Sequence, residues 1–185
     1  MPRAAQFLPP LLLVLLASVT HLPALRGGEF TLDDVALIEE NPRLEVHSGA
    51  DLWRLVSGRY WGDDAGGERL WRPVPLVTYA AERRAHGGDP YLSRALNVAL
   101  HTGCAWLIYA LLAGWLPRRA SLLASVAFLL HPVHAEVTGG VVGRAELLAL
   151  GGVLSAVWLH RRLRRARSGW ARAGYAVLAA LAFGV

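Results

Sequence analysis

Lysine is absent from the 185 residues, and cysteine occurs once, as Cys104. A single cysteine excludes an intrachain disulfide and any Cys-x-x-Cys or zinc-finger spacing. With no lysine, all 19 basic residues are arginine, a usage that reflects GC-rich coding rather than chemistry. Acidic residues are scarce outside residues 26–90. The composition of a soluble domain is missing too: 54% of the residues are apolar and they come in long blocks. The mean hydropathy of +0.34 points the same way, to a membrane protein. A net charge of +5 would suit nucleic acid, yet the arginines cluster at the ends of apolar blocks. That placement is topological, and no nucleic-acid partner is expected.

What is present reads as an all-α, polytopic membrane helix bundle. Spans are expected at about residues 7–25, 91–116, 118–131 and 145–160, with an incomplete one at 172–185. The first block has the basic start and small residues of a signal peptide, but its apolar core runs on past them. An uncleaved helix is therefore favoured over a cleaved leader. The last block stops in mid-span, so the chain is expected to be a fragment of a longer protein.

Residues 26–90 form a long polar loop carrying short interfacial helices. Ser48 and Asp51 match a capping box, followed by Leu52, Trp53, Leu55 and Val56 at helical spacing. Trp53, Tyr60 and Trp61 are suited to the membrane interface. Pro73 opens a second short helix with Leu76, Tyr79 and Ala80 on one face. Arginine clusters at Arg3, at Arg118 with Arg119, and from Arg161 to Arg167 fall on one side of the membrane, which is then cytoplasmic. Everything between 26 and 90, and the turn at 131–146, lies on the opposite face.

Ionisable groups on that face are the candidates for chemistry. Asp33 and Asp34 are adjacent carboxylates, which repel when both are charged, so one is a candidate for proton transfer or charge stabilisation. A solvated acidic turn is the plainer reading. Arg94, Asn97 and His101 share one helical face at membrane depth and must meet protein or a water-filled cavity. For Asn97 a helix–helix hydrogen bond serves as well as a functional role. Arg144 opens a helix, where the macrodipole disfavours a cation, so it marks either a phosphate site or a salt bridge to Glu146 or Glu136. Glu146, in the same first turn, has an ordinary dipole explanation. His131, His134 and Glu136 are chemically able to hold a divalent metal, though their spacing fits no established zinc signature.

The segments F-T-L-D-D, E-N-P, D-L-W, Y-W-G, W-R-P-V-P-L, L-N-V-A-L-H, H-P-V-H-A-E-V and G-R-A-E-L-L-A carry a resemblance over residues 29–150. Together they resemble the amino-terminal membrane half of the transmembrane and tetratricopeptide-repeat O-mannosyltransferases, bacterial relatives included. The resemblance implies a GT-C glycosyltransferase fold and transfer of a mannose-like sugar. The donor would be a polyprenyl phosphate and the acceptor a protein hydroxyl, on the periplasmic or lumenal face. It assigns acceptor chemistry to the Asp33 and Asp34 pair, to Asp34 rather than Asp33 if only the residue nearer the following segment points inward, and matches Arg72, His131, His134, Glu136, Arg144 and Glu146 to family motifs. Donor phosphate binding is then expected at Arg72 and Arg144, with His131, His134, Glu136, Glu146 and, from their shared helical face, Asn97 and His101 in supporting roles. No cofactor is implied with certainty. Two departures stand out: Arg94 replaces a histidine before L-N-V, and Leu70-Trp71 replaces Ser-Tyr before Arg-Pro. No tetratricopeptide repeat lies within the chain, and without the family's later helices it is expected to be inactive alone. A non-catalytic scaffold or transport protein of the same fold is the competing reading.

Overall fold

In the computed structural model, residues 8–25, 28–30, 32–62, 70–165 and 169–183 are described. Arg3, Arg26, Gly66, Gly67 and Arg167 lie outside them. The helices are α1 (Leu8–Leu25), α2 (Gly49–Ser57), α3 (Pro73–His86), α4 (Pro90–Leu112), α5 (Arg118–Leu129), α6 (Ala135–Gly139), α7 (Arg144–Arg165) and α8 (Gly169–Phe183). Among the described residues there is no strand.

Helix α4 is the centre of the bundle and packs against α1, α5 and α7. Its start is set locally: the Asp89 carboxylate accepts from the amides of Tyr91 and Leu92, and Pro90 occupies the first turn. The preceding helix α3 stops at Gly87, whose φ of 72° lies in the left-handed region that glycine adopts without cost. One apolar cluster joins α1, α4 and α5 through Leu13, Ala17, Ala105 and Leu129. A second lies under the long loop, where Leu37, Ile38, Leu44, Leu55, Tyr60, Leu76, Tyr79 and Val141 are buried together.

By length and apolar composition, Pro90–Leu112 and Val141–Arg164 can each cross a membrane. Arg118–Leu129 and Pro132–Gly139 form a third, broken unit bent by 48°. Of the expected spans, 91–116 and 145–160 correspond to the first two helices and 118–131 to the first arm of the broken unit. Helix α1 has 18 residues, with its apolar run at Pro9–His21, and α8, expected as an incomplete span, has 15 described residues. The expected 118–131 span is instead a short helix followed by a bend.

The loop helices follow the sequence closely. In α2, Ser48 and Asp51 form the reciprocal capping box. Its stripe is narrower than expected, because Leu55 enters the core while Trp53 remains 70% exposed. In α3, Pro75, Leu76, Tyr79 and Ala80 make the buried face.

The two ends of the bundle differ in charge. Arg161 donates from Nη1 to the Leu111 carbonyl at 2.6 Å and lies 4.2 Å from the Trp115 ring centre. The end of α7 therefore sits beside the α4–α5 turn, and Arg118, Arg119 and Arg161 share one end. Asp33, Arg72, Glu136 and Glu146 gather at the other.

Candidate functional site

The chain breaks its helical ladder between α5 and α7, leaving backbone groups without helical partners. Side chains from four other elements supply the partners. Asn97 donates from Nδ2 toward the carbonyls of Val137, Gly140 and Val141 at 3.2, 2.9 and 3.3 Å. Arg94 donates from Nε to Gly139 at 2.8 Å. The Leu129 carbonyl, freed at the end of α5, faces Nε2 of His101 at 3.2 Å and Nε2 of His21 at 3.4 Å. Tyr79 Oη donates toward the Val141 and Val142 carbonyls, each at 3.4 Å. Burial pushes the Tyr79 phenol pKa upward, which keeps that proton in place for donation.

Asp34 completes this arrangement from the long loop. Its Oδ2 accepts from the Val141 amide at 3.0 Å and its Oδ1 from the Val142 amide at 2.8 Å. The residue is 1% exposed. Asp33 is exposed instead, and lines a cavity. Just before the pair, Leu32 has φ of 52°, an uncommon left-handed conformation for leucine, with its side chain in the open. The following π-helical turn Val35–Glu39 is tied down by Arg83, which donates from Nη2 to the carbonyls of Ile38 and, at 2.8 Å, Glu39.

Arg144 is wholly buried. Its Nε donates to Asn97 Oδ1 at 3.0 Å, Nη1 to Thr78 Oγ1 at 3.1 Å, and Nη2 to the Ser93 carbonyl at 3.0 Å. Glu82 lies 2.9 Å from Nη1 as its ion partner, and the guanidinium stacks 4.9 Å from the Tyr79 ring centre. Glu82 is held in turn by Ser93 Oγ at 2.7 Å. All three guanidinium nitrogens are thus occupied by protein. The ion partner is neither of the two glutamates expected, and Arg144 does not line the cavity.

That cavity has a volume of about 580 Å³ and opens at the acidic end of the bundle. Asp33, Arg72, Glu136 and Glu146 bring charge to it, and Leu32, Tyr60 and Trp61 bring apolar surface. Arg72 pairs with Glu146 Oε1 at 3.1 Å and lies 5.6 Å from the Tyr60 ring centre. Both partners of that pair are partly exposed, so water screens it and an incoming anion can displace Glu146. Carboxylates able to accept a proton therefore share a pocket with an exchangeable cation.

The histidines gather separately. His101 lies 5.4 Å from His21 and 4.8 Å from His134 between ring centres, with Phe128 among them. His131 accepts from the Val133 amide at 3.2 Å, capping the turn Pro132–His134. Among the described residues, no three His, Cys, Asp or Glu side chains converge as metal ligands, so His131, His134 and Glu136 form no such set.

The placement leaves His131 and His134 with the histidine cluster and sorts the other expected site residues into two groups. Asp33, Asp34, Arg72, Glu136 and Glu146 line the cavity, while Asn97, Arg144 and His101 are buried behind it. Glu82, Thr78, Tyr79 and His21 complete the buried network without having been singled out for it. For Glu82 a signal existed: it follows Tyr79 by one helical turn and so shares the buried face of α3.

Comparison with known proteins follows the same lines. The chain is 34% identical over 151 residues to protein O-mannosyl-transferase Tmtc1 of Drosophila melanogaster, covering 80% of this chain and 17% of that protein. It is 31% identical over 163 residues to protein O-mannosyl-transferase F38B6.6 of Caenorhabditis elegans, covering 83% and 23%. Against human protein O-mannosyl-transferase TMTC4 it is 33% identical over 140 residues, covering 65% and 18%. The chain thus spans about a fifth of the length of these curated relatives. No family model matches the chain, and no solved structure does.

Proposed function

The chain belongs to the protein O-mannosyl-transferase family, and on that premise we propose that it supplies part of a membrane glycosyltransferase site. The enzyme moves a mannose-like sugar from a polyprenyl-phosphate donor to a protein hydroxyl on the non-cytoplasmic face. What carries this reading is the meeting of exposed Asp33 and Glu136 with Arg72 in one cavity.

Glycosyl transfer to a hydroxyl breaks the bond from the anomeric carbon to the donor phosphate and forms one to the acceptor oxygen, whose proton must leave. A carboxylate near the acceptor takes that proton or stabilises the cationic sugar, and a cation near the departing phosphate stabilises its charge. Asp33 is the carboxylate best placed for the first task, because its neighbour Asp34 already serves the Val141 and Val142 amides. Arg72 is placed for the second, since only a screened pair with Glu146 has to give way. Asp34, Asn97 and Arg144 are positioning residues: they hold the broken segment that forms one wall of the cavity. Glu136 on that wall takes a supporting role.

The test is incorporation of radiolabelled sugar into acceptor protein from a polyprenyl-phosphate donor, using the full gene product in membranes. The proposal expects incorporation that depends on the lipid-linked donor. Incorporation from a nucleotide sugar alone would contradict the donor assignment, and none from either would favour the scaffold or transport reading.

A further inference from the structure

The opposite end of the bundle holds a second polar pocket, of about 280 Å³, lined by Ala110, Ala113, Gly114, Trp158, Arg161 and Arg162. Arg161 is fixed there: its Nη1 donates to the Leu111 carbonyl at 2.6 Å, and the guanidinium lies over Trp115. Gly114 makes the room, since a Cβ at that position would fall 2.0 Å from Arg161 Nη2. Arg162 is held over Trp158, 4.6 Å from the ring centre. Both guanidinium groups are thus oriented by aromatic faces, and no salt bridge to either is present among the described residues.

Counter-charge is scarce in the sequence as well. From residue 90 to the end the acidic residues are Glu136 and Glu146, and Glu146 lines the cavity at the other end together with Glu136. The pocket therefore joins fixed cations to tryptophans where apolar helices end, the depth at which phospholipid headgroups lie. Arginine forks match phosphate oxygens bidentately, and basic pockets between membrane helices are suited to anionic headgroups.

We propose that this pocket binds a phosphate group, supplied by the headgroup of an anionic phospholipid in the arginine-side leaflet. Arg161 and Arg162 grip the phosphate oxygens, and Trp115 and Trp158 keep the guanidinium planes in place. This site is separate from the transfer cavity and does not rest on the assigned reaction.

The experiment is native mass spectrometry of the purified chain, titrated with phosphatidylglycerol, with phosphatidylcholine, or with inorganic phosphate. The expected result is preferential retention of phosphatidylglycerol, reduced roughly ten- to thirty-fold in R161Q/R162Q. Gly114→Leu, which fills the pocket while keeping both charges, should reduce it as well. Circular dichroism checks that each variant remains helical, and R118Q/R119Q serves as a charge-matched control that should retain the lipid. Equal retention of the two lipids, or retention undiminished in R161Q/R162Q, would overturn the proposal. Saturation by inorganic phosphate that displaces the lipid would overturn the lipid as source and leave a free-phosphate site.

Discussion

Arg144 illustrates how far a residue's type and its surroundings can differ in what they suggest. At the start of a helix an arginine is out of place electrostatically, which makes a phosphate site a natural expectation. The structure gives it Glu82, Asn97, Thr78, Ser93 and Tyr79 instead, with nothing exposed. Removing one member of a buried, hydrogen-bonded ion pair leaves the other charged and unpartnered. Arg144→Met is therefore expected to cost about 3–5 kcal/mol, read as a lower melting temperature in detergent. Unchanged melting together with weakened donor binding would return Arg144 to the role of phosphate ligand. Its partners come from α3 and α4; the helical period puts Glu82 on the buried face with Tyr79, but only packing decides that this face meets Arg144.

The break between α5 and α7 is the element on which the cavity depends. Its place was readable from the dozen apolar residues before it and the run of ionisable ones after. How it is held together was not, because the carbonyls of Leu129, Val137, Gly139 and Val141 draw on side chains from distant helices. The α4 face of Arg94, Asn97 and His101 was legible by period, and in the structure its side chains bond the backbone of the broken segment. Gly143 shows how tight the fold-back is: a Cβ there would meet Val137 Cα at 2.5 Å and Val137 O at 2.8 Å. Backbone cannot move aside as a side chain can, so Gly143→Ala is expected to lose about 1–3 kcal/mol. Faster amide exchange confined to residues 131–146 would be its signature, and wild-type exchange would contradict the close packing. By contrast, α2 and α3 needed only local signals, a capping box and a proline followed by an amphipathic stripe.

For the molecule as a whole, the orientation we propose rests on charge asymmetry. Arg118, Arg119 and Arg161 at one end and the acidic cavity at the other fit a bundle whose arginine end is cytoplasmic. A reporter fused after Arg119 is expected to read cytoplasmic, and one inserted at residues 63–69 to read external. The same side for both would separate the cavity from the face on which we place transfer.

The decisive comparison is sugar transfer by the full gene product carrying Asp33→Asn or Asp34→Asn, each with its melting temperature. Asp33→Asn keeps the shape of the side chain and removes its charge and basicity. Turnover is expected to fall about 100-fold or more with the melting temperature unchanged. Asp34→Asn replaces an acceptor of two amides with a group that can accept at only one of them. It is expected to lower the melting temperature, with a destabilisation of about 1–3 kcal/mol, and activity with it. Full turnover by Asp33→Asn, or an Asp34→Asn protein as stable as the wild type but inactive, would contradict the assignment of chemistry to Asp33 and of positioning to Asp34.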